Sequence, residues 1–146
     1  MRIAIDAART ATASGDIPVG AAIFDSNGNL VATGKNEREL HNDPTAHAEI
    51  VAIRNAAEKI GDWHLTDHTL VVTLEPCAMC AGAIAQSRLQ RVVFGAWDEK
   101  AGAVGSMWDL LRDPRSTFRT EVRADVLGEE CGELIKSFIQ EVRKKD

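Results

Sequence analysis

This sequence of 146 residues has few cysteines, no long apolar run and no excess of basic charge. The three cysteines are an odd and low number, which disfavours a disulfide framework and fits a reducing cytoplasm. The longest apolar runs, such as Val19–Phe24, are far too short to cross a bilayer. No basic segment followed by an apolar core opens the chain, so no secretory signal is predicted. These absences predict a cytoplasmic protein without a membrane-spanning segment.

Acidic residues outnumber basic ones by 22 to 17, which gives a net charge of −5. A negative chain is a poor candidate for coating nucleic acid non-specifically. The window 86–119 differs, because its six basic and four acidic side chains give a local charge of +2. That excess is compatible with an ordinary solvated surface or with a local basic patch. The basic residues of the window are Arg88, Arg91, Lys100, Arg112, Arg115 and Arg119.

The remaining composition is that of a folded domain. Apolar residues make up 45% of the chain, charged residues 27%, and three residues are tryptophan. These proportions argue against intrinsic disorder, and a chain of this length forms a core without disulfides. One domain over residues 1–146 is therefore expected.

Helical and strand patterns alternate along the chain, with a hairpin-turn composition at Ser26–Asn29 and a polar loop at 37–44. The predicted strands are Val19–Asp25, Leu30–Thr33, Thr69–Leu74, Arg91–Phe94 and Thr120–Asp125. The predicted helices are 2–14, Ala46–Ile60 with a Thr45 cap, Cys77–Ser87 after Pro76, Met107–Leu111, and Leu127 to the C-terminus. This order predicts an α/β fold, a three-layer α/β/α sandwich around a mixed five-stranded sheet.

Two short segments combine residue types that bind zinc. His47-Ala48-Glu49 and Pro76-Cys77-Ala78-Met79-Cys80 each lie at the start of a predicted helix. Cys77 and Cys80 are three residues apart, so both thiols face the same way, and the helix N-terminus lowers their pKa. An isolated Cys-x-x-Cys pair is also typical of redox-active thiols. Together with His47, however, the two thiols form a zinc ligand set that leaves a fourth position open, as in catalytic sites.

Glu49 lies two residues beyond the histidine, a spacing at which it faces the pocket without binding metal. Zinc lowers the pKa of bound water from about 15.7 towards 7. Glu49 is placed to accept the proton of that water and pass it to a nitrogen of the substrate. His-x-Glu followed by Pro-Cys-x-x-Cys is the motif of zinc deaminases acting on cytosine or adenine.

Longer segments extend this similarity over nearly the whole chain. They are Gly15–Ala21, Asp43–Glu49, Thr73–Gly82, Arg91–Ala96 and Gly102–Ser106. In these segments the sequence resembles the bacterial tRNA-specific adenosine deaminases, within the cytidine deaminase-like superfamily. That family consists of cytoplasmic homodimers that convert adenosine to inosine at the wobble position of an arginine tRNA anticodon.

The resemblance implies a role for each matching residue. His47, Cys77 and Cys80 are expected to bind one Zn²⁺ per subunit. A zinc-activated hydroxide is expected to attack C6 of the adenine, with Glu49 as the proton shuttle. The residues expected to contact the base or the tRNA anticodon stem-loop are Asn36, Ala48, Val19, Leu74, Asp98, Lys100 and Arg119. The family usually has Asn-His-Arg where this chain has Thr117-Phe118-Arg119, a departure near the expected RNA surface.

Two other functions remain open at this stage. A deaminase of free guanine or cytosine would have the same zinc motif but would need no platform for RNA. A non-catalytic, zinc-stabilised RNA-binding module would need four protein ligands and no unliganded carboxylate nearby. Glu49 therefore favours an enzyme, and the basic window with Asp98–Ser106 favours RNA.

Overall fold

A mixed sheet of five strands lies at the centre of the computed structural model, which describes all 146 residues. The strands are β1 (Gly20–Phe24), β2 (Leu30–Lys35), β3 (Thr69–Leu74), β4 (Arg91–Ala96) and β5 (Glu121–Arg123), in the order β2-β1-β3-β4-β5. β1 runs antiparallel to both β2 and β3, while β3, β4 and β5 are parallel. The carboxyl ends of the parallel strands therefore meet at one edge, where ligands usually bind in such sheets.

Helices cover both faces of the sheet and complete the predicted three layers. They are α1 (Arg2–Ala11, followed by a 3₁₀ turn at Thr12–Ser14), α2 (Arg38–His41), α3 (Ala48–Ile60), α4 (Ala78–Gln86) and α5 (Gly128–Lys145). α1 and α5 pack on one face, and α3 and α4 on the other. No helix is both long and apolar enough to span a membrane.

Two glycines allow helices to approach the sheet closely. A Cβ at Gly20 would lie 2.0 Å from the carbonyl oxygen of Ala4 on α1. A Cβ at Gly34 would lie 2.4 Å from the carbonyl oxygen of Ala48 on α3. Gly34 is paired with Ala21, the neighbour of Gly20, so these two contacts lie on opposite faces of the sheet. The start of α3 is thereby held directly against the sheet.

The local predictions fail at three places. The predicted helix Met107–Leu111 is absent: the segment forms turns and an isolated bridge between Val104 and Asp109. The predicted loop 37–44 contains the single-turn helix α2. Thr45 does not cap α3, because its hydroxyl donates to Asp43 at 2.8 Å and the N-cap residue is His47. In each case the conformation is determined by specific hydrogen bonds, which the pattern of apolar and polar residues does not reveal.

Asp16 shows this for α2, because its buried carboxylate accepts from the first turn of that helix. Its oxygens lie 2.7 Å from the amide nitrogen of Glu39 and 3.2 Å from that of Leu40, and the Ser14 hydroxyl donates at 2.6 Å. Burial raises the pKa of Asp16, but these hydrogen bonds outweigh burial and hold the pKa below its ordinary value. The charged form therefore stabilises the turn that carries Arg38.

We expect Asp16→Asn to lower the free energy of unfolding by about 1–3 kcal/mol at pH 7, because buried amides lose a charged acceptor. The folded pKa of Asp16 lies below the unfolded value, so its contribution is present above about pH 4 and is lost as pH falls through the folded pKa. Urea unfolding at pH 7 and pH 3 checks this. The control Asp6→Asn, at an exposed site on α1, should change little. If the difference in free energy of unfolding between wild type and Asp16→Asn is the same at pH 7 and pH 3, the charged Asp16 carboxylate does not stabilise α2.

Candidate metal centre and active site

The three predicted zinc ligands meet where two helices begin at the carboxyl edge of β3. His47 is the N-cap residue of α3 and Cys77 is the N-cap residue of α4, both with extended backbone and without a side-chain capping bond. Their side chains are therefore free to point towards each other. Cys80, in the first turn of α4, is fully buried and faces the same point.

The distances between the ligand atoms fit a tetrahedral metal ion. Nδ1 of His47 lies 3.6 Å from Sγ of Cys77 and 3.5 Å from Sγ of Cys80, and all three atoms lie within 4.8 Å of one another. A tetrahedral zinc with bonds of about 2.0 Å to nitrogen and 2.3 Å to sulfur has ligand edges of about 3.5 Å. One imidazole and two thiols at this spacing match Zn²⁺ and leave one coordination position for a non-protein ligand.

The three ligand groups shift one another's pKa values. Hydrogen bonding from the Cys80 thiol, together with His47, lowers the pKa of Cys77 to about 3. The Cys77 sulfur and burial in turn raise the pKa of Cys80. The hydrogen bond with Cys77 raises the pKa of His47. Zinc binds thiolates and a neutral imidazole, so a metal ion at this site would replace the protons that these groups share.

Glu49 follows His47 in the first turn of α3, and its side chain is only 4% exposed. Burial raises the pKa of this carboxyl. A carboxyl with a raised pKa exchanges protons near neutral pH more readily than an exposed one. Glu49 stands outside the ligand cluster and beside it, as the proton-shuttle role requires.

The cluster opens into a pocket of about 230 Å³. Six residues predicted to act on the substrate line it: Val19, Asn36, Ala48, Glu49, Leu74 and Asp98. The Asn36 amide is itself held in place, because its Nδ2 donates to the Ile17 carbonyl at 3.3 Å and its Oδ1 accepts from the Arg38 amide at 3.3 Å. Each polar atom keeps capacity for a further hydrogen bond, so the side chain can offer a donor and an acceptor to a base edge.

Lys100 and Arg119, the two predicted basic contacts, do not line the pocket. Lys100 is exposed in the loop that continues from Asp98, and its amide donates to the Asp98 carboxylate at 3.2 Å. Arg119 precedes β5 and borders a groove with Arg91, at the amino ends of the parallel strands. Within one chain, Arg119 therefore lies at the end of the parallel strands opposite to the metal cluster.

Sequence reasoning missed four residues that line the pocket: Ile17, Arg38, Glu75 and Ala101. Arg38 is exposed at the rim, where it adds a positive charge. Glu75 is 2% exposed and follows the last residue of β3. The available signal for Glu75 was an acidic residue between an apolar strand and Pro76, a position at the ligand-binding edge of the sheet.

Residues 1–96, about two thirds of the chain, match the model of a family described as the cytidine and deoxycytidylate deaminase zinc-binding region. The chain belongs to this deaminase family. The match contains His47, Glu49, Cys77 and Cys80. The predicted zinc cofactor and the predicted α/β deaminase fold are thereby confirmed.

Relatives that match nearly the whole of this chain have a more specific name. A tRNA-specific adenosine deaminase of Haemophilus influenzae is 47% identical, with 99% of this chain and 84% of the relative covered. A tRNA-specific adenosine deaminase of Bacillus subtilis is 44% identical, with coverage of 99% and 89%. The predicted family resemblance is confirmed by this similarity.

Solved structures of two kinds of deaminase superimpose on this chain. A structure from a study of A-to-I editing by tRNA:A34 deaminases at the wobble position of transfer RNA superimposes with a TM-score of 0.87 and 38% identity, covering 92% of this deaminase and 96% of that chain. A guanine deaminase from Nitrosomonas europaea superimposes with a TM-score of 0.78 and 25% identity, covering 94% and 81%.

Proposed function

We propose that this enzyme hydrolyses adenosine to inosine in tRNA, at the wobble position of an arginine tRNA anticodon. The observation that carries the proposal is the identity of 44–47% over 99% of the chain with two tRNA-specific adenosine deaminases. The higher TM-score and identity with a tRNA:A34 deaminase than with a guanine deaminase point the same way. In the net reaction, water replaces the exocyclic amine at C6 and ammonia leaves.

The residues around the pocket divide the chemistry between them. Bound at His47, Cys77 and Cys80, zinc would supply an activated water by lowering its pKa towards 7. The buried carboxyl of Glu49 would accept a proton from the attacking water and deliver it to the amine that leaves C6. Asn36 orients the purine by its amide, and Val19 and Leu74 exclude bulk water from the ring.

The RNA would approach along the loop that begins at Asp98. The target adenine leaves its stack to enter the pocket, which costs little in an unpaired anticodon loop. Asp98 would accept from a ribose hydroxyl, and Lys100 and Arg38 at the rim would face phosphates. We include in the proposal a cytoplasmic homodimer. Because Arg119 lies at the opposite end of the strands from the pocket, the Arg119 that contacts a phosphate of the bound RNA would belong to the second copy of the chain.

The assay that tests the proposal compares an RNA with free bases. The zinc-loaded enzyme is incubated with an arginine-tRNA anticodon stem-loop, and inosine at the wobble position is scored. Free guanine, adenine, cytosine and cytidine are tested in parallel for ammonia release. Inosine in the RNA with inert free bases supports the proposal. Deamination of guanine with unmodified RNA would instead support the second candidate, which the similarity to the Nitrosomonas europaea guanine deaminase favours.

Lys100→Gln should raise KM for the stem-loop and flatten its salt dependence. Loss of one phosphate contact lowers the slope of log(kcat/KM) against log[salt] by about 0.7–1. Initial rates at several salt concentrations measure this slope. The matched control is Lys59→Gln, an exposed lysine near the other end of α3, about 18 Å along the helix from His47. A slope equal to that of the wild type would show that Lys100 does not contact phosphate.

A further inference from the structure

Glu75 has a buried carboxylate that takes no part in the proposed chemistry. It lies between Leu74, the last residue of β3, and Pro76, which precedes the first cysteine ligand. Its side chain is 2% exposed. A buried carboxylate needs hydrogen-bond donors around it, and all of its donors come from one loop, residues 98–106.

Both carboxylate oxygens of Glu75 accept hydrogen bonds. Oε1 accepts from the Asp98 amide at 3.1 Å. Oε2 accepts from the amides of Val104 at 3.0 Å and Ser106 at 3.1 Å. The Ser106 hydroxyl lies 2.8 Å from Oε2 and also 2.8 Å from the Asp98 carbonyl oxygen, so its one proton is shared. The carboxylate thus joins the first and last residues of the loop.

The same loop is docked against the turn that carries the cysteine ligands. The Ala103 amide donates to the Pro76 carbonyl at 2.8 Å, and Gly102 forms a bridge with Cys77. Gly102 passes so close to Glu75 that a Cβ on it would lie 2.3 Å from the carboxyl carbon. Asp98 and Ala101, from the near side of this loop, line the pocket. The carboxylate therefore sits between the end of β3, the ligand turn and one pocket wall.

We propose that Glu75 is a positioning residue, which fixes loop 98–106 as the substrate-facing wall beside the metal cluster. It acts through the backbone of Asp98 and does not touch the reacting atoms. The loop has no regular secondary structure to hold it, and the backbone amides that Glu75 accepts from have no other acceptor in the structure. Removing the negative charge frees the loop while the ligands stay anchored in α3 and α4. The proposal rests on the proposed function in that Asp98 faces the RNA.

Glu75→Gln tests this with three readouts: zinc content, amide hydrogen exchange, and kinetics on the stem-loop. The amide group has one acceptor oxygen where the carboxylate has two, and it turns an N–H towards the donors of the loop. We expect zinc to stay at one per chain and exchange to accelerate at Asp98, Val104 and Ser106. We expect kcat/KM to fall by about 10- to 100-fold, mainly through KM, because misplaced substrate contacts have effects of that size.

Two further variants keep the test decisive if Glu75→Gln folds poorly. Ser106→Ala removes one donor and should shift exchange and KM in the same direction by less. Gly102→Ala forces the carboxyl away from the loop and should reproduce the Glu75→Gln kinetics. Glu99→Gln is the matched control, because it removes an exposed carboxylate of the same loop, and exchange at the three amides should not change.

Unchanged exchange in Glu75→Gln would overturn the proposal. So would faster exchange with unchanged kcat/KM, or loss of zinc, since Glu75 would then act on the ligand turn and not on the wall. If wild type leaves the stem-loop unmodified, the proposed function fails separately. The exchange rates, with kinetics on whichever base the wild type deaminates, then decide the role of Glu75.

Discussion

Glu49→Gln should lower the deamination rate by about 10²- to 10⁴-fold, the range typical of a lost general acid–base group. The amide is nearly isosteric with the carboxyl, but it cannot take a proton from water and pass it to the leaving amine. Zinc should remain bound, because the three ligand atoms are supplied by His47, Cys77 and Cys80. Single-turnover rates on the stem-loop and zinc analysis of the same preparation measure both effects.

The control for Glu49→Gln is Glu58→Gln, which changes an exposed carboxylate on the same helix, α3. Its rate should equal that of the wild type. If Glu49→Gln loses zinc, Glu49 is a ligand and the assigned proton transfer is wrong. If it keeps both zinc and rate, the proton passes through another group.

Cys80→Ser should release zinc and abolish deamination, because it removes a buried thiolate from a site with only three protein ligands. Bound metal stabilises the folded state by about 4 kcal/mol when its free concentration is about 1,000-fold above Kd. For a domain of this size, losing that term lowers Tm by roughly 10 °C. Thermal unfolding with and without a chelator gives the shift.

Cys131→Ala supplies the matched control for Cys80→Ser. Cys131 is equally buried, but on α5 against Gly95, and burial raises its pKa to about 11. The control should keep zinc, activity and a Tm that still responds to the chelator. Zinc bound at full occupancy in Cys80→Ser would contradict the assigned ligand set.

The elements that the sequence predicts well are those with local causes. The turn before β2 is an example: the Asp25 carboxylate accepts from the amides of Asn27 and Asn29, and Gly28 takes a positive φ of 81°. α4 begins after Cys77, close to where Pro76 predicts. The zinc ligands were predictable because few residue types bind zinc and their spacing along a helix is restricted.

The segments that were mispredicted depend on contacts between distant parts of the chain. The segment Met107–Leu111 is not helical because the Trp108 amide donates to the Gly102 carbonyl at 3.1 Å and the Leu110 amide donates to the Ala103 carbonyl at 2.8 Å. The loop that supplies these carbonyls is held by Glu75, between 23 and 31 positions earlier, so the apolar spacing of Met107–Leu111 did not predict its conformation. α2 depends on Asp16 in the same way. Glu75 itself was missed because a single glutamate has no spacing pattern. Its position between an apolar strand and Pro76 was a signal for the edge of the sheet, but its donors lie 23 to 31 residues later.

The separation between the metal ligands and the remaining pocket walls has an evolutionary consequence. The ligands belong to two helix starts held against the sheet, while Asn36 and Asp98 belong to connecting loops. Substitutions at these two positions can change the substrate-facing walls without replacing a metal ligand. One scaffold can thus diverge towards different bases, as the shared fold of a tRNA:A34 deaminase and a guanine deaminase illustrates. Laboratory selection for new substrates should accordingly enrich changes in the loops and spare the helix starts.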